Sequence, residues 1–212
     1  MDEYDYKIVF LGESGTGAKT CLINQIIYNQ FENYSSTSAA TYFSTFIQVE
    51  LGIIKLDLWD TAGQERFRSI NRIFIKDSHC AILGYDITNK SSFKEIENYH
   101  YNKVKNILGD EPLIYLVANK IDLIEDIKVS EKEAIDYAKK KGIKYFRVSA
   151  KTGEGVNELL EDISNSLIIK FKRKIDNEDQ NLIREITKDG TEIKRLNIKE
   201  KIEIILNKFY NY

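Results

Sequence analysis

The chain has 212 residues, 42% hydrophobic and 30% charged, enough for one domain with a substantial core and a short appendage. Its net charge of -2 argues against the broad positive field of a nucleic-acid binder, and its two cysteines are too few for a disulfide framework. No apolar run approaches the roughly 20 residues of a membrane span, and the acidic Met1–Tyr6 has no signal-peptide core, so a cytoplasmic protein is expected.

In chain order, Lys7–Leu11 is a short apolar run, expected to be a strand, and Cys21–Asn29 follows as a helix. Tyr42–Glu50 and Ile53–Trp59 alternate apolar with polar residues about Leu51-Gly52, which predicts an antiparallel hairpin at a sheet edge. The runs Cys80–Tyr85, Leu113–Ala118 and Lys144–Val148 then alternate with the amphipathic stretches Ser92–Leu108, Ser130–Lys141 and Val156–Lys170. That succession predicts an α/β fold: a mostly parallel six-stranded sheet, one antiparallel edge hairpin, and helices on both faces. Cys21 and Cys80, in apolar surroundings, are expected to be buried reduced thiols. Residues 1–170 are expected to form this domain and 171–212 a charged extension. The extension opens with the basic Lys170–Lys174. Leu182–Leu196 then has a hairpin pattern around Asp189-Gly190, and Ile198–Tyr210 suits a short amphipathic helix.

Ligands of such sheets bind beyond the carboxyl ends of the strands, so the loops there are the candidate site. The first strand runs into Gly12-Glu-Ser-Gly15-Thr-Gly17-Ala18-Lys19-Thr20-Cys21. Glycines let a backbone curl until several N–H groups converge on a phosphate at a helix N-terminus. A lysine adds charge for the outer phosphates, and a Ser/Thr hydroxyl can ligate Mg²⁺. The standard spacing puts the lysine directly after the second glycine, but here Ala18 intervenes. Either the loop carries one extra residue, or Ala18 and Glu13 stand in the places of the glycines; the extra residue is favoured because Gly12 ends the strand.

Three further motifs follow. Asp60-Thr-Ala-Gly63-Gln64-Glu65 closes a strand with a carboxylate suited to a hydrated Mg²⁺, a glycine N–H for a terminal phosphate, and a glutamine able to orient water. Asn119-Lys120-Ile121-Asp122 offers a carboxylate to the N1–H and N2–H₂ edge of guanine, a pair of donors that adenine lacks. Ser149-Ala150-Lys151 ends the last strand, where a backbone N–H can meet the guanine carbonyl and the lysine stem can pack on the base.

Gly12–Thr20, Asp60–Glu65, Asn119–Asp122 and Ser149–Lys151, in this order, resemble the Ras superfamily of small GTPases. The stretch Lys55–Ile70 and the string Tyr85-Asp-Ile-Thr88 are most similar to the Rab branch, and the resemblance covers about residues 5–170. It implies GTP/GDP and Mg²⁺ as ligands, with GTP hydrolysed to GDP and phosphate as a switch in vesicle trafficking. Lys19 would contact the β- and γ-phosphates; Thr20, Ser38 and Asp60 would serve the metal. Gly63 would sense the γ-phosphate and Gln64 would position the hydrolytic water. Phe31 would cover the guanine, which Asn119, Lys120, Asp122, Ser149, Ala150 and Lys151 would hold. Phe31–Phe43 and Asp60–Ile75 would be the two switch segments, through which an exchange factor, a GTPase-activating protein and effectors act. No nucleic-acid partner is implied.

The sequence departs from that family in several features, the first being Ser38 where the switch threonine is expected. Ala18 is extra, and a glycine expected after the switch threonine position is Ala40. No arginine is placed to act in cis, so slow intrinsic hydrolysis is expected. No cysteine follows Cys80 and the chain starts Met-Asp, so neither prenylation nor myristoylation is expected, and endomembrane contact is expected to be peripheral at most. The alternative function is a hydrolysis-deficient nucleotide-binding scaffold; a P-loop kinase using ATP is opposed by Asn119–Asp122. Deleting Ala18 is expected to speed hydrolysis.

Overall fold

The computed structural model describes residues 4–32, 40–49, 52–61, 71–109 and 112–170. The chain divides into two compact units after Ile168, and all but the last two described residues belong to the first. The hairpin and helix expected beyond Lys170 lie outside the described residues.

Strand β1 (Tyr4–Leu11) leads through the glycine-rich loop into helix α1 (Thr20–Tyr28). The hairpin strands are β2 (Thr41–Val49) and β3 (Gly52–Asp60). Next come α2 (Asn71–Ile75) and β4 (Cys80–Asp86). The stretch expected as one helix, Ser92–Leu108, starts earlier and is interrupted: α3 (Lys90–Glu95), a π-helical turn (Ile96–His100) and α4 (Tyr101–Leu108). The earlier start has a local cause, since the Asn89 side chain accepts the Ser91 N–H and caps the helix. β5 (Leu113–Asn119), α5 (Glu131–Lys141), β6 (Lys144–Arg147) and α6 (156–170) complete the domain. Ser130 caps α5 by accepting the Glu133 N–H, and Gly142 ends it in the left-handed conformation.

The six strands form one sheet in the order β2-β3-β1-β4-β5-β6, antiparallel between β2 and β3 and parallel elsewhere. The reason is in the residues. β4 is buried at all seven positions, as a strand covered on both faces must be, whereas exposed and half-buried residues alternate along the edge strand β2. Tyr85, Phe93 and Tyr137 stack edge to face in the core, with centroids 4.9 Å and 5.6 Å apart. The core also contains Leu83, Ile96, Val104 and Leu116, each worth about 1.5–3 kcal/mol on burial. Cys21 and Cys80 are free and buried. No helix among the described residues is long and apolar enough to cross a membrane.

Register decides what this scaffold presents. Phe10 pairs with Asp60, Leu11 with Leu83, and Asp86 with Asn119. The ends of β3, β1, β4 and β5 therefore line one edge of the sheet. β1 and β4 flank the point where the chain changes its direction of travel across the sheet, the place where open α/β sheets bind ligands.

A candidate nucleotide site at the carboxyl edge of the sheet

The glycine-rich loop curls back over the end of β1. Gly12, Gly15 and Gly17 have positive φ; Ala18 does not, and its side chain is fully buried. Gly12 and Gly17 thus hold the special backbone positions and Ala18 is the additional residue, in line with the favoured spacing. At Gly12 no other residue fits: a Cβ would stand 2.2 Å from the carbonyl oxygen of Gly84 on β4. The Thr16 hydroxyl donates to the Glu13 carbonyl and accepts the Ala18 N–H at 3.4 Å, folding the loop on itself.

Lys19 is buried at the head of α1, where its Nζ donates to the carbonyls of Gly12 (3.0 Å) and Glu13 (2.8 Å). Burial pulls its pKa down to about 8, with Asp60, Cys21 and Glu13 pulling the other way. Next to it the Thr20 hydroxyl donates to Asp60 Oδ2 at 2.6 Å, joining the start of α1 to the end of β3. The Thr61 hydroxyl fixes that strand end by donating to the Phe10 carbonyl at 2.6 Å.

The second half of the site is one hydrogen-bonded cluster. Asn119, buried at the end of β5, donates to the Thr16 carbonyl (3.0 Å) and accepts the Ala150 N–H (2.9 Å). A single amide thus holds the glycine-rich loop and the Ser149–Lys151 loop together. Ser149 donates to Asp122 Oδ1 at 2.6 Å and accepts the Thr152 N–H at 3.1 Å, which orients the Asp122 carboxylate. Lys120, in a left-handed conformation at φ 67°, reaches the Gly15 carbonyl at 3.3 Å. Lys151 is exposed, and Phe31 stands 37% exposed after α1, beside Glu32, whose carbonyl accepts from the Cys21 thiol at 3.6 Å. Hydrogen bonds thus run from Gly12 through Lys19, Glu13, Thr16 and Asn119 to Ala150, with the pairs Thr20–Asp60, Ser149–Asp122 and Lys120–Gly15 at the same edge of the sheet. Ser38, Gly63 and Gln64 lie outside the described residues.

Sequence reasoning passed over three contributors. Asp86 pairs with Lys120 at 2.6 Å and so sets the direction of that side chain. Thr16 is the loop's internal hook. Gly84 receives the loop's backbone. Two of the three left a signal: Asp86 lies in the string Tyr85-Asp-Ile-Thr88, and Gly84 is a glycine inside an apolar strand, which marks a close approach.

The model of the Ras family matches residues 7–169. The chain belongs to the Ras family. Among its relatives, the Ras-related protein Rab-21 of Homo sapiens is 37% identical over 166 residues, covering 78% of this chain and 73% of the relative. The Canis lupus familiaris protein is also 37% identical, over 78% of this chain and 74% of its own length. Rab-21 of Geodia cydonium is 38% identical over 163 residues, covering 76% and 70% of the two chains. The chain is thus a Ras-superfamily protein close to the Rab branch, with the six-stranded small-GTPase fold that the sequence resemblance implied.

Proposed function

We propose that this Ras-family chain binds guanine nucleotide with Mg²⁺ at the carboxyl edge of its sheet and hydrolyses GTP to GDP and phosphate as a trafficking switch. The supporting observation is the double hydrogen bond of Asn119, which sets a guanine-type carboxylate, Asp122, at a fixed offset from a phosphate-type loop. Asp122 would accept from the N1–H and N2–H₂ of guanine, with Ala150 offering its backbone, Lys120 and Lys151 flanking the base, and Phe31 covering it. Backbone N–H groups from Gly12 to Cys21, with Ala18 among them, would face the phosphates, and the Lys19 cation would meet the outer two.

A hydroxyl and a carboxylate 2.6 Å apart, Thr20 and Asp60, are the hard oxygen donors that Mg²⁺ prefers, so the residues present fit the ion. Bound there, Mg²⁺ would neutralise charge on the phosphates. Ser38 is assigned to the same ion, Gly63 to the γ-phosphate and Gln64 to orienting the attacking water, all by resemblance. Attack of water on the γ-phosphorus releases GDP and inorganic phosphate, and Lys19 stabilises the charge that develops. Exchange factors, activating proteins and effectors would act through the switch segments, and a peripheral endomembrane role follows the likeness to Rab-21 proteins. Residues 1–170 would be the GTPase domain and 171–212 its extension.

The test is binding of fluorescent GDP to the purified full chain in Mg²⁺, followed by single-turnover GTP cleavage. Saturable binding that GTP, but not ATP, displaces is expected, with slow release of phosphate. Absence of guanine-nucleotide binding overturns the reading. Tight binding without cleavage would favour a nucleotide-locked scaffold, the reading to which the buried Ala18 beside Lys19 gives weight.

A further inference from the structure

Gly84 sits inside β4, a strand buried at every position, paired with Val117 of β5. Nothing in strand geometry asks for glycine there, because its backbone is not in the left-handed region. A glycine weakens a strand, through chain entropy and the lost side-chain packing. The reason for it lies across the sheet edge. A Cβ on Gly84 would stand 2.4 Å from the Ala18 Cβ and 3.0 Å from the Ala18 carbonyl oxygen. Neither atom belongs to a flexible side chain that could swing aside. Ala18, the additional residue of the loop, is 0% exposed and fills this space.

We propose that Gly84 and Ala18 are a matched pair: the side chain absent from β4 makes the room into which the extra loop residue folds, and this keeps Lys19 and Thr20 at the head of α1. The same carbonyl of Gly84 backs onto Gly12, so the loop is seated on β4 at both its ends. A side chain at 84 pushes Ala18 outward and carries Lys19 and Thr20 with it. Removing Ala18 alone leaves a void over Gly84 into which the loop sags, so the faster hydrolysis expected of that deletion from spacing alone is replaced by an expected loss. Both residues are positioning residues, and an ångström of error at the phosphates is enough to cost about a hundredfold in rate.

The inference rests on the nucleotide-binding reading for its function and on packing alone for its structure. Four full-length proteins separate the two: wild type, Gly84→Val, deletion of Ala18, and the combination. Affinity for fluorescent GDP in Mg²⁺ is measured where circular dichroism shows each protein folded. Each single change is expected to weaken binding by about tenfold or more, and the combination to return it to within about threefold of wild type. Release of GDP on adding EDTA gives a readout that overall stability does not move: strong acceleration in wild type and the combination, little in Gly84→Val, whose Thr20 no longer holds the ion. A combination no better than the worse single change overturns the pairing, as does a Gly84→Val protein that binds like wild type. If Gly84→Val does not fold, Gly84→Ala places one methyl at the 2.4 Å contact and the comparison is repeated with it. If wild type itself binds no nucleotide, the functional reading fails. Urea midpoints of the four proteins then decide the packing alone: recovery in the combination supports it and additive losses overturn it.

Discussion

At the scale of single residues, the site is built from polar side chains that serve two neighbours at once. Asn119 is the clearest, since its amide spans from the Thr16 carbonyl to the Ala150 N–H in a buried place. Asn119→Ala leaves both partners without it and is expected to lower unfolding free energy by about 1–3 kcal/mol, read from the urea midpoint. Asp122 is placed by Ser149, and on the proposed reading its acceptors would define which base edge fits. Asp122→Asn presents an amide donor in place of a carboxylate oxygen, so GDP affinity is expected to fall at least about tenfold while xanthosine diphosphate, with a carbonyl where guanine has an amine, gains. Paired titrations with the two nucleotides read this directly, and equal losses for both would contradict the assignment. Asn119 and Asp122 were legible as members of a motif; the partner at each end of Asn119 was not, because it lies on other loops, distant in sequence.

At the scale of elements, the sequence patterns marked every strand of the sheet to within a few residues. Periodicity reports which face is buried, and burial is what these strands share. It failed where local chemistry prevailed, as at Asn89, whose capping side chain starts α3 ahead of its first apolar residue. The packing of α6 on β5 and β6 uses a non-local device instead. Asp162 on α6 accepts from the Tyr115 hydroxyl of β5 and from Lys144 of β6, each at 2.6 Å. Burial works against its charge, but the bonds from Lys144 and Tyr115 outweigh that and hold its carboxyl below the ordinary value of 3.8. The folded state therefore binds fewer protons at this group than the unfolded chain across the acid range. The stability it contributes is complete above the usual carboxylate range and is lost as pH falls through it. Urea midpoints of the wild-type chain should thus fall more steeply below about pH 4 than those of Asp162→Asn; parallel curves would remove Asp162 from the account.

At the scale of the whole molecule, ligand and fold are expected to stabilise each other, because the loops that form the site join α1, β3, β5 and α6 to one another. A nucleotide that binds only the folded chain, at a hundred times its dissociation constant, adds about 2.7 kcal/mol to unfolding. Thermal melts with GDP and Mg²⁺ are expected to rise accordingly in wild type and to rise little in Asp122→Asn at the same concentration. The amino-acid sequence alone determined the α/β class and the family, and it located the candidate phosphate and base motifs, since these follow from periodicity and from motifs contiguous along the chain. It favoured, without deciding, Ala18 as one residue too many. What it left open was how the excess is absorbed. That was decided by the tertiary structure, because the vacancy for Ala18 is made by a glycine 66 positions away (84 minus 18), on a strand that only parallel pairing brings beside the loop.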